Sequence, residues 1–198
     1  MRLRGPAGQP LADHIAEVAA DLYYREGIHR TGVDRIADAA GITKRTLYHH
    51  FRSKDDLVAA ALRRSPGVNF PDDGEPLERI IGAFSQLETF LKNTQYRSCP
   101  WTIFTAELTD PAHPARRIIE KRLARRRQWF CDRLTEAGLP NPIHVAEELD
   151  LLFDGALALG AKRGDIVASR TAKRLAMMVL SVAARSEKTA QGGRSRVA

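Results

Sequence analysis

At 198 residues the chain is long enough for one domain of ordinary size or two small ones. Hydrophobic residues make up 43% and charged residues 28%, a balance that excludes both a disordered chain and a membrane-embedded one. The formal charge of +7 favours a polyanionic partner, and the N-terminus MRLRGPAGQP lacks the apolar core of a signal peptide, which predicts a cytoplasmic protein.

The apolar spacing is helical almost throughout. Leu11, Ile15, Val18 and Leu22 form one stripe of a helix that Gly27 stops. Val33, Ile36, Ala37 and Ala40 predict a short helix over Asp34–Ala40, and a second short one follows over Lys44–Phe51. Ser53 is placed to cap a fourth, with Asp55 and Asp56 in its first turn and Leu57, Ala61 and Leu62 on its inner face. The stretch SPGVNFPDDGEP (Ser65–Pro76) holds three prolines and two glycines and predicts a linker. Leu77, Ile80, Ile81, Phe84, Leu87 and Leu91 then mark a long amphipathic helix.

Cys99-Pro100 opens a shorter helix through Leu108, and TDPAHP (Thr109–Pro114) is a turn. An arginine-rich helix runs to about Ala137, where Gly138 ends it; Val145, Leu149, Leu152, Ala156 and Leu159 give the next. A last helix is expected over Val167–Ala184, with a disordered polar tail from residue 185 to 198. The predicted fold is all-α, about nine helices, divided into domains at 1–64 and 65–198.

One segment needs an explanation outside the core. AAGITKRTLYHHF (Ala39–Phe51) puts Lys, Arg, two Thr, Tyr and two His directly after a turn glycine. From Ile42 to Lys54 there are four basic residues and no acid. A small residue at Ala37, a glycine at Gly41, an apolar plug at Ile42 and anchors at Leu47 and Phe51 are the spacing of a helix-turn-helix. Its second helix lies in the DNA major groove, so Thr43, Lys44, Arg45 and Thr46 are candidates for base edges. Tyr48, His49 and Lys54 are candidates for phosphates.

GITKRTLYHHFRSKDDLVAAAL (Gly41–Leu62), preceded by TGVDRIADAAG (Thr31–Gly41), resembles the DNA-binding domain of the TetR family of bacterial transcriptional regulators. The resemblance covers about Leu11 to Leu62. It implies phosphate contacts by Tyr48, His49 and Lys54 and a backbone contact by Thr31. Arg45 stands where many members have glycine, so contacts at that position are expected to differ from theirs.

The resemblance further implies a helical C-terminal domain that dimerises and often holds a small-molecule inducer. Phe84, Leu87, Trp101, Phe104 and Trp129 are the candidates for an inducer pocket, with Trp101 and Phe104 foremost. Leu152, Gly155, Ala156 and Leu159, with Leu175 and Val179 on the last helix, are the candidates for a homodimer face. The expected partners are therefore an operator duplex, a second copy of the chain and an unknown inducer, with no membrane. A regulator without an inducer, or a helical binding or catalytic protein carrying a vestigial helix-turn-helix, remain as alternatives.

Other constellations carry less. Adjacent His49 and His50 are expected to diverge, and no metal motif, CxxC pair or catalytic signature is present in the sequence; neither a cofactor nor an enzymatic activity is expected. Cys99 and Cys131 are expected to be small semi-buried side chains. Glu107 and Asp110 are expected to mark a helix end. Ala115–Phe130 holds six arginines, one lysine and one glutamate, and is expected to be a solvated face, with an anion-binding surface as the alternative.

Overall fold

The structure, a computed structural model, describes residues 9–65, 67–92 and 99–194. Among the described residues there are nine α-helices and no β-strand: α1 (Leu11–Glu26), α2 (Val33–Ala39), α3 (Lys44–His50), α4 (Lys54–Arg64), α5 (Pro76–Leu91), α6 (Pro100–Glu107), α7 (Pro114–Glu136), α8 (Pro142–Arg163) and α9 (Val167–Arg194). They form two compact units. The first comprises residues 1–67 and 100–122, and the second 68–99 and 123–198, so α6 and the start of α7 cluster with α1–α4.

In the first unit α1 packs along α4, and α2 and α3 close against them. Ile15, Ala19 and Leu22 of α1 and Leu57, Val58, Ala61 and Leu62 of α4 are buried in this unit, as are Ile36 and Leu47. Val18, expected on the inner stripe of α1, is only half-buried; Ala16, Ala19 and Tyr23 take that face instead. The Ser53 hydroxyl accepts the amide of Asp56 at 3.0 Å, which starts α4 at the predicted residue. Arg64, at the far end of α4, reaches back to Asp13 and Glu17 of α1.

The second unit packs α5, α8 and α9 against one another and against the C-terminal part of α7. Phe84, Phe130 and Phe153 are enclosed at its centre. Phe70, inside the segment predicted as a linker, stacks on Trp129 with ring centroids 4.6 Å apart and meets Phe130 edge to face. The Phe70 ring is half-buried against these aromatics, so part of that segment packs onto the second unit; its Pro66 lies outside the described residues.

Gly160 of α8 sits where a Cβ would come within 2.6 Å of the Leu91 side chain of α5. Its small size therefore serves the packing of α8 on α5 within the chain. α9 runs through Arg194, beyond the end expected at Ala184: Glu187, Lys188, Ala190 and Gln191 favour helix, whereas Gly192 and Gly193 do not. The rest of the predicted tail, 195–198, lies outside the described residues, as does 93–98.

Candidate nucleic-acid interface

The interface is built from the turn between α2 and α3. Gly41 takes φ +67°, a left-handed conformation that costs a glycine little, and the amide of Ile42 returns to the Ala37 carbonyl at 3.0 Å. Thr43 then caps α3: its hydroxyl accepts the amide of Thr46 at 3.1 Å and lies 2.9 Å from the Thr46 hydroxyl. Leu47 is fully buried and Phe51 nearly so, which fixes the roll of α3. Enclosing one Leu stabilises the arrangement by about 1.5–3 kcal/mol.

With Leu47 pointing inward, the rest of α3 is turned out. Thr43, Lys44, Arg45, Tyr48 and His49 are exposed and Thr46 is half-buried. Lys44 Nζ donates to Asp34 Oδ2 of α2 at 3.0 Å, and that hydrogen bond and charge hold the ammonium above its ordinary pKa. Arg45 has no such partner among the described residues. The His49 and His50 rings, expected to diverge, lie edge to face with centroids 5.5 Å apart.

Two sequence-predicted residues sit differently. Thr31 is fully buried, and its hydroxyl donates to the Gly27 carbonyl at 2.7 Å. It locks the corner between α1 and α2, so its side chain is not presented for a DNA contact. Lys54, the first residue of α4, donates from Nζ to the Ile28 carbonyl at 2.7 Å, which leaves two of its three donors for another group.

Sequence reasoning missed the residues that brace this corner. Glu107, the last residue of α6, accepts the amides of Ile28 and His29 at 2.6 and 3.2 Å. His113 Nε2 lies 3.3 Å from Asp55 Oδ1 of α4. No local pattern announces either contact, because the partners are far apart in the chain.

The other candidates divide between the units. Phe84 and Leu87 are fully buried and Trp129 half-buried in the second unit, whereas Trp101 and Phe104 are buried in the first, Trp101 beneath the Arg122 guanidinium at 5.5 Å. The arginine-rich stretch of α7 is not a uniformly solvated face. Arg126 is buried, donates from Nε to Asp150 Oδ1 at 2.5 Å, and lies 2.8 Å from Asp154 Oδ2. Cys99 is buried and Cys131 half-buried.

Between α8 and α9 runs an open groove of about 580 Å³, lined by Val145, Leu151, Leu152, Leu175, Met178 and Val179 among others. Leu152, Gly155, Leu175 and Val179 are half-buried and Leu159 is exposed. Ala156 is instead enclosed in the chain's own core, on the inner edge of the stripe and turned well away from Leu151. Two groove residues that the spacing did not single out are open to water, Leu151 at 75% and Met178 at 54%. Among the described residues no helix is long and apolar enough to cross a membrane, and no group of three or more His, Cys, Asp or Glu is placed to hold a metal.

A three-helix core that turns a short basic helix outward defines a helix-turn-helix DNA-binding protein. Comparison with known proteins gives the family. The model for bacterial regulatory proteins of the tetR family matches residues 15–61. The crystal structure of sav143, described as a tetR-type transcriptional regulator from Streptomyces avermitilis, is 30% identical, with a TM-score of 0.75 over 88% of this chain and 98% of that one. SCO4454, a TetR-family regulator from Streptomyces coelicolor, is 28% identical with a TM-score of 0.74 over 87% and 89%. The transcriptional repressor KstR2 of Mycolicibacterium smegmatis is 28% identical over 151 residues, 71% of each chain. The chain belongs to the TetR family of DNA-binding transcriptional regulators.

Proposed function

We propose that this regulator is a repressor that binds a palindromic operator as a homodimer and is released by a small-molecule inducer. The observation that carries the proposal is the outward face of α3, where Lys44, Arg45, Tyr48 and His49 surround a buried Leu47. Arg and Lys match guanine O6 and N7, a Thr methyl matches a thymine methyl, and Tyr48, His49 and Lys54 serve phosphates. Repression is the activity named for the KstR2 relative. The α8–α9 groove supports the dimer, since large apolar side chains open to water in a row are costly unless a partner covers them. Two such subunits hold their recognition helices about one DNA turn, roughly 34–36 Å, apart.

For the inducer, Phe84, Leu87 and Trp129 of the second unit are the proposed apolar contacts, with Trp101 and Phe104 of the first as separate candidates. A ligand lowers DNA affinity only as far as it prefers the non-binding state, and about 1–3 kcal/mol of coupling is typical. Sedimentation of the chain with and without a duplex drawn from the region upstream of its own gene tests the proposal. A dimer that shifts onto the duplex is the expected result. A monomer, or no shift with any such duplex, overturns it.

A further inference from the structure

The ion pair between Asp34 and Lys44 ties the first helix of the motif to the second on the face that α3 turns outward. Lys44 Nζ and Asp34 Oδ2 are 3.0 Å apart, and the two side chains are 52% and 70% exposed. The pair is thus an open surface feature, placed where every other exposed charge of α3 is positive or neutral. An acidic group there repels phosphate, so its presence needs a reason.

An uncommitted cation binds any phosphate it meets. Each phosphate neutralised adds affinity and salt dependence but no sequence information. Arg45 is uncommitted among the described residues, although its fork also matches a base edge. Lys44 is not, because its charge is compensated at contact distance by Asp34 and one of its three donors is already used. Two donors remain, and the carboxylate sets their direction. Guanine offers the adjacent acceptors O6 and N7 that two such donors can meet.

We propose that Asp34 is a specificity-determining residue. By pairing with Lys44 it withholds that charge from arbitrary phosphates and aims the remaining donors at a base edge, so it weakens binding to random duplex more than binding to the operator. The inference rests on the DNA-binding role of α3.

The test is binding of wild type, D34N, K44A and the double variant to the operator and to a scrambled duplex, across a salt range of about 50–200 mM. For D34N on scrambled DNA, binding is expected to tighten about threefold or more at the lowest salt. The log–log salt slope should steepen by about 0.9 for each engaged subunit. Its preference for the operator should fall, D34E should behave as wild type, and the change in slope should vanish in the K44A background. An unchanged slope and preference in D34N overturns the inference. So does a slope change that persists undiminished without Lys44, because Asp34 would then act as a general charge. A wild-type chain that binds no duplex at any salt overturns the DNA-binding reading itself, which separates the two failures.

Discussion

Glu107 holds the main chain of Ile28. Its Oε2 accepts that amide at 2.6 Å and the amide of His29 at 3.2 Å, while the Glu107 carbonyl oxygen meets His29 Nε2 at 2.8 Å. The corner between α1 and α2 has no helix of its own to satisfy these donors, so the carboxylate does it. Replacing Glu107 with Ala leaves the Ile28 amide part-buried and unpaired, at a cost of about 1–3 kcal/mol. A urea titration is expected to show that loss, and Glu107→Gln, which keeps an acceptor, should recover part of it. An unchanged midpoint for the Ala variant would show that water serves the corner equally well.

The buried charge network of the second unit should be more sensitive. Arg126 is held between Asp150 and Asp154 of α8 and lies over the Phe153 ring at 5.2 Å. Asp150→Ala leaves the buried guanidinium with Asp154 alone of the two carboxylates, and the expected loss is about 1.5–3 kcal/mol. Arg126→Met together with Asp150→Leu removes both charges and should cost less than the single change. Chemical denaturation of the three proteins decides it; a single change milder than the double would contradict the network.

Much of the first unit was legible because its signals are local. Gly41, the Thr43 cap, Leu47 and the Ser53 cap each act within four residues of their own position, and each sits where the spacing predicts. Contacts set by the rest of the chain were not legible. Phe70 lies among prolines and glycines and reads as linker until Trp129 is seen beneath it. Arg126 reads as one more solvated arginine until Asp150 and Asp154, one turn apart on α8, are brought to it. Thr31 is expected at the DNA backbone from the resemblance, yet the fold closes over it and turns its hydroxyl to Gly27. On α8 the period placed the stripe, but only packing shows that Ala156 faces in and Leu151 faces out.

A pH dependence follows from Glu88. Arg170 of α9, and then Lys92, bond its carboxylate and hold its pKa down at about 2, against an ordinary value of 4.5. A carboxyl depressed on folding stabilises the fold above its unfolded pKa and loses that contribution as pH falls through the folded one. The stability difference between wild type and Glu88→Gln should therefore be constant at neutral pH and shrink between about pH 4.5 and 2. Thermal melting of both proteins across that window checks the sign; a difference that grows on acidification would contradict the pairing.

The proposed dimer face makes a sharp demand on α8 and α9. Leu152→Arg with Val179→Arg places two cations in the groove, where a partner would have to bury them unpaired. Both side chains are half-buried at the surface of the isolated chain, so the fold itself should survive. Sedimentation is expected to show folded monomers. A folded dimer from this variant would place the interface elsewhere.

The central claim is that α3 reads DNA, and a fluorescence-anisotropy titration at fixed salt tests it most directly. Wild type, Lys44→Ala, Arg45→Ala and Tyr48→Phe are each titrated against the operator and a scrambled duplex of the same length. Loss of a bidentate base contact at Arg45 should cut the preference for the operator by about 1–3 kcal/mol, while Tyr48→Phe weakens both duplexes by similar factors. If all three variants bind the operator as tightly and as selectively as wild type, α3 is not the reading element and the account is wrong.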